Sequence, residues 1–440
     1  MVDGSFVYAS EIKSILEYPK YKKKFNHKAL DNYLSFQYVV PPETFFEGIY
    51  CLLPGHYLWY RDGKVTTTRY FEATFKPDES LTLDKAVDEI EAVFEDSVNA
   101  HKISDVEVGC FLSSGVDSSY VSTYFADQKT FTVGFDFGDH YNEISWAKRL
   151  SEKIGVDHHT KLIGSDEFWG AVPKVQYQMD QPLADPSCIA LYFVSKLASK
   201  YVKVVLSGEG ADELFGGYPW YHNHEILFED CFPWSKSQDI RRSILKDGVL
   251  KNGEEYVRQR YLDTISLAPK LKSDTDLDRR MREMFYLNFY WFMQCLLERK
   301  DRCSMFSGLE VRVPFCDYRL VEYAYNMPWE LKAWGNREKG IVRKAFEDIL
   351  PEEICWRKKS PYPKTHNPIY FNECVKRVRK ILKKRSILNE LLDRKGIEDI
   401  IENPDKITNP WYGQLMKAPQ ILAYIIELDY WFDKYNVEIV

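Results

Sequence analysis

Two short stretches carry most of the residues able to do chemistry. The first is Ser113-Ser114-Gly115-Val116-Asp117-Ser118-Ser119, which follows the apolar run VEVGCFL. Its glycine permits a tight turn, its hydroxyls can donate to anionic oxygens, and backbone N–H groups gather where the next helix begins. An aspartate there would repel a phosphate unless a divalent cation lay between them, so Asp117 points to Mg²⁺ bound with a nucleotide. Neither G-x-G-x-x-G nor G-x-x-x-x-G-K-[ST] is present, and the same residues also read as an N-cap cluster after a buried strand. The second stretch runs from Ser207 to Tyr218 directly after VKVVL. Glu209, Asp212 and Glu213 crowd three carboxylates into one strand end, which is costly without a cation or a shared proton. Gly208 and Gly210 bracket Glu209 and let the backbone approach a ligand. A solvated acidic turn is the alternative, but such a turn does not need the four interleaved glycines.

Strands and helices must hold these loops. After the polar boundary FKPDES (75–80), Thr82 is a plausible N-cap, and Val87, Ile90, Phe94 and Val98 fall at helical spacing over Leu83–Ala100. Strands are expected at Val106–Leu112, Thr130–Phe135, His159–Ile163 and Val202–Leu206. Helices are expected at Ser118–Ala126, Glu143–Ile154, 166–179 and 187–199. This alternation implies an α/β fold with a doubly wound parallel sheet, whose ligands bind beyond the carboxyl ends of the strands. The two loops should therefore open on one sheet edge.

Beyond residue 220 the pattern is helical and aromatic. One long helix is expected over 281–305 and another over Gln420–Tyr435, with their aromatic stripes in the core. The first 75 residues look β-rich. Ser5–Ala9 reads as a strand and Glu11–Leu16 as a short helix. His56–Tyr60 and Lys64–Thr68 flank Arg61-Asp62-Gly63, a strong hairpin signal. A few such strands make a poor core alone, so this segment reads as the tail of a larger sheet or as one packed on the next domain.

With 59 Lys plus Arg against 66 Asp plus Glu, the net charge of −7 argues against a protein built to grip nucleic acid or an anionic membrane. Nine cysteines without a C-x-x-C pair argue against metal knuckles and a disulfide framework, and fit a cytoplasmic, reduced protein. The start MVDGSFVYASEIK is unlike a secretory signal, and no transmembrane run is present.

FLSSGVDSSYV (111–121) resembles the S-G-G-x-D-S loop of the ATP pyrophosphatases. Joined to LSGEGADELFGGY (206–218), it resembles the synthetase domain of the glutamine-hydrolysing asparagine synthetases. Asp301-Arg302 in ERKDRCSM, the GLEVRVPFCD segment (308–317), REKGIVRKAF (337–346) and DQPLADPS (180–187) are similar to further segments of that family. FVYASEIKSIL (6–16) is similar to the end of its glutaminase domain. The resemblance covers nearly the whole chain. It implies a sheet of the adenine-nucleotide hydrolase-like (PP-loop) type with a helical C-terminal part over 82–440. Residues 1–75 would precede it as a remnant of an Ntn glutaminase domain.

The resemblance also implies a reaction. The β-carboxylate of aspartate attacks the α-phosphorus of MgATP to give β-aspartyl-AMP and pyrophosphate, and ammonia then displaces AMP to give asparagine. Ser113, Gly115, Asp117 and Ser118 would cradle pyrophosphate, with Asp117 and Asp212 sharing Mg²⁺. Leu112, Val133, Ser207 and Gly208 would border the adenosine. Lys339 would bring a cation to the phosphorus; on the sequence alone it reads as a solvated lysine. Glu209 would face the intermediate and take a proton from ammonia. Arg302 and Arg312, like His158 and His159, are left outside the site. Rival readings are a ligase adenylating another carboxylate, as in β-lactam synthetases, and a non-catalytic remnant. A tRNA-modifying enzyme fits the acidic, C-x-x-C-free chain less well. Candidate partners are the small substrates ATP, aspartate and ammonia, together with a second copy in a homodimer or a separate glutaminase polypeptide.

Three departures from the family pattern stand out. Ser114 replaces the first glycine of S-G-G-x-D-S, which matters only if that site needs positive φ. Gln181 replaces the glutamate of D-E-P. Residue 2 is Val2 and the first cysteine is Cys51, so the N-terminal cysteine nucleophile of the family's glutaminases is missing. This chain is therefore expected to use free ammonia.

Overall fold

The computed structural model describes residues 1–136, 143–183, 185, 187–358, 368–408 and 416–437. Its centre is a five-stranded sheet made of β3 (Val108–Phe111), β4 (Lys129–Phe135), β5 (Asp157–Ile163), β6 (Val204–Leu206) and β7 (Glu310–Arg312). Every pairing is parallel and the spatial order is β5-β4-β3-β6-β7. The four residues of β3 and the three of β6 are all buried, as expected where helices cover both faces. The expected strands appear, and β7 in the segment GLEVRVPFCD is an addition. Three residues carry too short a pattern to announce a strand; β7 forms because β6 offers it an edge through the Val204–Glu310 to Leu206–Arg312 register.

The order reverses between β3 and β6. From β3 the chain steps to β4 and β5 on one side, and later to β6 and β7 on the other. The loops after β3 and β6 are thus neighbours at the switch point, where a crevice is unavoidable.

One apolar cluster lines one side of the sheet with Ile90, Phe94, Val121, Leu206, Phe315 and Ile341. The helix Leu83–His101, capped by Thr82, lies in it. A larger cluster on the other side takes in the C-terminal helix Ala418–Tyr435. Its aromatics are core, as their spacing implies. The expected helix over 281–305 is Asp276–Leu287 and Gln294–Met305, joined by a π-helical turn at Asn288–Met293. Thr275 and Asp278 close a reciprocal capping box at its start.

The first 75 residues are less β-rich than their sequence suggests. Ser5–Ala9 is not a strand. Val2 and Ser5 make only an isolated bridge, and Phe6 is held by its ring, which stacks 4.7 Å from that of Tyr60. Among the described residues no second backbone pairs with Ser5–Ala9 to give it a ladder. His27–Phe36 is a helix capped by Asn26, with Ala29/Tyr33 and Leu30/Leu34 turned inward at i, i+4 spacing. The expected hairpin is present as β1 (His56–Arg61) and β2 (Lys64–Arg69), with positive φ at both Asp62 and Gly63. The segment packs on the rest of the chain: Phe45 and Phe46 lie 5.1 and 5.8 Å from the Trp431 ring, and Tyr33 stacks 5.8 Å from Tyr424. Among the described residues no helix is long and apolar enough to cross a membrane.

Candidate active site

The loop after β3 is tied together by its own hydroxyls. Ser118 Oγ accepts from Ser113 N (3.0 Å) and lies 2.6 Å from Ser113 Oγ, which in turn accepts from Gly115 N (3.2 Å). Gly115 stands in extended conformation at the head of the helix Val116–Thr123. No side chain caps this helix, so the hydroxyls do not act as the N-cap cluster that the sequence offered as an alternative; they tie the turn to itself. Ser114 is not among the residues with positive φ, so the serine sits without backbone strain. Its hydroxyl accepts a 2.7 Å hydrogen bond from Arg357 Nη2.

The loop after β6 docks directly on this turn. A Cβ on Gly208 would stand 2.5 Å from Ser118 N and 2.7 Å from Asp117 C, so only glycine allows the two loops to touch. Gly210 then takes φ +101° and turns the chain into the short helix Ala211–Phe215, which aims Asp212 back towards Asp117. Lys339 joins the two carboxylates. Its Nζ lies 2.6 and 2.9 Å from the Asp117 oxygens and 2.8 Å from Asp212 Oδ1. Its side chain is only 3% exposed. Burial by itself would lower the amine's pKa, but Asp117 and Asp212 outweigh it and hold it above the usual lysine range.

Glu209 belongs to a second ionic cluster. Its carboxylate lies 3.0 Å from both Arg299 Nη2 and Lys300 Nζ. Arg299 reaches on to Asp185 (2.5 Å) and Ser187 Oγ (2.6 Å). Burial pushes the Lys300 amine down, and the Glu209 charge opposes that shift.

Leu112, just past β3, and Val133, inside β4, are buried, and the Leu112 carbonyl accepts from Thr132 Oγ1. Ser207 is buried, and its N–H bonds the Arg312 carbonyl at 2.9 Å. The structure thus gathers Ser113, Gly115, Asp117, Ser118, Gly208, Asp212 and Lys339 at one point, with Glu209 alongside. Glu213 turns away to accept from Tyr218 OH.

Residues left outside the site have structural partners. Arg312 donates to the carbonyls of His101 and Ile103 (both 2.7 Å). His158 pairs with Thr130 Oγ1 at 2.9 Å, and His159 stacks on Tyr201 at 4.1 Å. Arg302 lies 3.1 Å from Asp180, which also accepts from the backbone of Ile12 at 2.7 Å. Gln181 Oε1 accepts from Phe45 N at 2.8 Å. The D-Q-P stretch therefore clasps the N-terminal segment; positions 184 and 186 of DQPLADPS lie outside the described residues.

Sequence reasoning passed over Asp185, Arg299, Lys300 and Arg357. Arg299 and Lys300 sit in a charged run, ERKDR, that resembles any solvated helix face, and nothing local marks them as buried. Arg357 is presented by clasps on the backbone before it: Arg337 donates to the Trp356 carbonyl (2.7 Å) and Arg343 to that of Arg357 (3.1 Å).

A protein-family model described as asparagine synthase matches residues 89–433, and one described as a glutamine amidotransferase domain matches residues 1–71. The chain is 38% identical to "Asparagine synthetase [glutamine-hydrolyzing] 3" of Bacillus subtilis, over 99% of this chain and 74% of the relative. It is 33% identical to "Asparagine synthetase [glutamine-hydrolyzing] 1" of the same organism, over 87% of this chain and 66% of the relative. A "Putative asparagine synthetase [glutamine-hydrolyzing]" of Mycobacterium tuberculosis is also 33% identical, with 82% of this chain and 62% of the relative covered.

Proposed function

The chain belongs to the asparagine synthase family, and from that premise we propose that it is an ATP-dependent ligase that converts aspartate to asparagine. The observation that carries this reading is Lys339, 222 residues from Asp117 in sequence, held between Asp117 and Asp212 at the paired strand ends. A buried cation beside a hydroxyl-rich turn suits a reaction that consists mainly of neutralising and aligning phosphates.

In the first step an oxygen of the aspartate β-carboxylate bonds to the α-phosphorus of ATP. The bond from that phosphorus to the α,β-bridging oxygen breaks, leaving β-aspartyl-AMP and pyrophosphate. Ser113, Gly115 and Ser118 present hydroxyl and backbone donors to the departing pyrophosphate, and Lys339 brings positive charge to the phosphorus. Leu112, Val133, Ser207 and Gly208 border the adenosine.

Asp117 and Asp212 fit a divalent cation, because their carboxylates already converge on one cation, the Lys339 ammonium. Among the described residues no group of three or more His, Cys, Asp or Glu side chains forms a metal shell, so phosphate and water oxygens would complete it. When bound, Mg²⁺ supplies charge to the phosphate oxygens.

In the second step ammonia attacks the acyl carbon and AMP leaves with the bonding pair. Glu209 takes the proton that the attacking nitrogen gives up, and Arg299 and Lys300 keep its carboxylate in place. For a polypeptide of these 440 residues we expect ammonia as the nitrogen source. Cys51 is the first cysteine, and burial pushes its thiol up to about 11, unlike an activated nucleophile. We also read 1–75 as a glutaminase-type segment and 82–440 as the synthetase unit; the matches to 1–71 and 89–433 support this division.

The test is to incubate the purified chain with MgATP, aspartate and either ammonium or glutamine, following AMP, pyrophosphate and asparagine. The three products should appear together with ammonium. Absence of AMP with ammonium overturns the ligase reading, and turnover with glutamine equal to that with ammonium overturns the nitrogen source.

A further inference from the structure

We propose that Lys339 is a built-in counter-cation that holds the divalent-cation site shut until ATP arrives, and then trades its two aspartates for phosphate oxygens. The proposal rests on the reading of Asp117 and Asp212 as metal ligands. Its basis is that one ammonium nitrogen lies 2.6 and 2.9 Å from the Asp117 oxygens and 2.8 Å from Asp212 Oδ1. A metal drawn to the same oxygens would meet an ammonium at close range, and two like charges so placed in a buried site exclude each other.

The backbone around Lys339 is a fixed pivot. Lys339 itself takes φ 55° and ψ 38°, a left-handed conformation that a lysine adopts only under constraint. The constraint is visible on both sides. A Cβ on Gly340 would lie 2.0 Å from the Trp334 carbonyl oxygen, so this turn is pressed against Trp334. Arg343 grips the preceding residue, donating to the Glu338 carbonyl at 2.8 Å and pairing with its carboxylate at 3.0 Å. Exchange of partners must then come from the flexible four-carbon stem, which can swing its ammonium a few ångströms while the backbone stays put.

The chemistry of the exchange is balanced in charge. With Lys339 in place, two carboxylates and one ammonium sum to −1. Withdrawal of the ammonium exposes −2, which suits a divalent cation, and the phosphates supply the negative partners that draw the ammonium away. Metal and nucleotide therefore assist each other's binding, and by linkage each raises the other's affinity by the same factor. Until then the Lys339 ammonium stands between the two carboxylates and offsets one of their charges.

Mn²⁺ binding to the full chain, followed by electron paramagnetic resonance with and without a non-cleavable α,β-methylene ATP analogue, tests this directly. Without nucleotide, Lys339→Met should bind Mn²⁺ about tenfold or more tightly than the unaltered chain, and the analogue should improve Mn²⁺ affinity less in the variant. Lys339→Arg, which keeps the charge, should stay as weak as the unaltered chain. Mn²⁺ should also raise the Tm of Lys339→Met by more than that of the unaltered chain, which shows the variant folded. Equal or weaker Mn²⁺ binding by a folded Lys339→Met overturns the exchange and leaves the metal reading standing. Unchanged Mn²⁺ binding in Asp117→Asn with the analogue present overturns the metal reading and the exchange together.

Discussion

The Lys339 cluster and the Arg299 cluster grow from neighbouring strand ends but are composed differently. In the first, one ammonium serves Asp117 and Asp212. In the second, Arg299 and Lys300 meet Glu209, with Asp185 completing a balanced set of two cations and two carboxylates. The first sets two carboxylates around one ammonium beside a hydroxyl-lined turn, the arrangement on which the proposed metal exchange rests. The second already sets two cations against two carboxylates, so it offers a metal less. A loop rich in acids thus divides its partners: Asp212 goes to Lys339 on the proposed phosphate side, Glu209 to Arg299 and Lys300 on the proposed acyl side, and Glu213 into the core against Tyr218. Glu209 stands apart from Asp212 and Glu213, three and four positions on, because Gly210 turns the chain between them into a short helix.

The largest effects should come from the phosphate side. Asp212→Asn and Lys339→Ala are each expected to lower pyrophosphate release roughly 10²–10³-fold, measured with aspartate and MgATP. Glu209→Gln should separate the clusters in a single turnover: asparagine formation falls about 10²-fold or more while the rate of the first pyrophosphate release stays within about tenfold. An equal fall in both would place Glu209 with the first cluster. Arg299→Met leaves the buried Asp185 without its cation, while Glu209 keeps Lys300. Denaturant unfolding should show a loss of about 3–5 kcal/mol, with part regained in Arg299→Lys.

Ser114→Gly removes the bond from Arg357 but relieves no strain, because φ at 114 is not positive. It should raise the KM for ATP less than about tenfold and cost no more than about 1.5–3 kcal/mol. The smallest effect concerns pH. Burial, reinforced by His159, pushes the His158 imidazole from its ordinary 6.5 down to about 4. The unfolded chain takes up this proton below pH 6.5 and the folded chain only near 4. The His158 contribution to stability is therefore complete above 6.5 and lost as pH falls from 6.5 towards 4. In His158→Gln the drop in Tm across that window should be smaller by roughly 2–4 °C.

Much of the frame was legible because its signals are local. Asp62-Gly63 between β-prone runs marks a hairpin, since both positions must take positive φ. Thr82 before an amphipathic run marks a helix start, and the alternation of short apolar strands with helices marks a parallel sheet. The strand at Ser5–Ala9 was misread because strand propensity has no effect without a pairing edge. The helix His27–Phe36 has a weak local signal, because its i, i+4 apolar pairs span only about two turns and gain their stability from packing on the rest of the chain. In the site, Asp117 and Asp212 stood out among glycines and serines, whereas Arg299, Lys300 and Arg357 lay in ordinary charged runs.

The sequence alone determined which chemical groups were available and in what order the strands and helices would carry them. It specified a hydroxyl-rich turn after one buried strand and an acidic, glycine-rich turn after another, because turn chemistry and apolar periodicity are written within a dozen residues. Tertiary structure decided which charge meets which. The β3–β6 neighbourhood put the two turns in contact, and Lys339, 222 residues from Asp117, was brought to 2.6 Å from it. Ion pairing in a buried site falls off over a few ångströms and depends on which solvent has been excluded, and neither distance nor exclusion is a property of the chain before it folds.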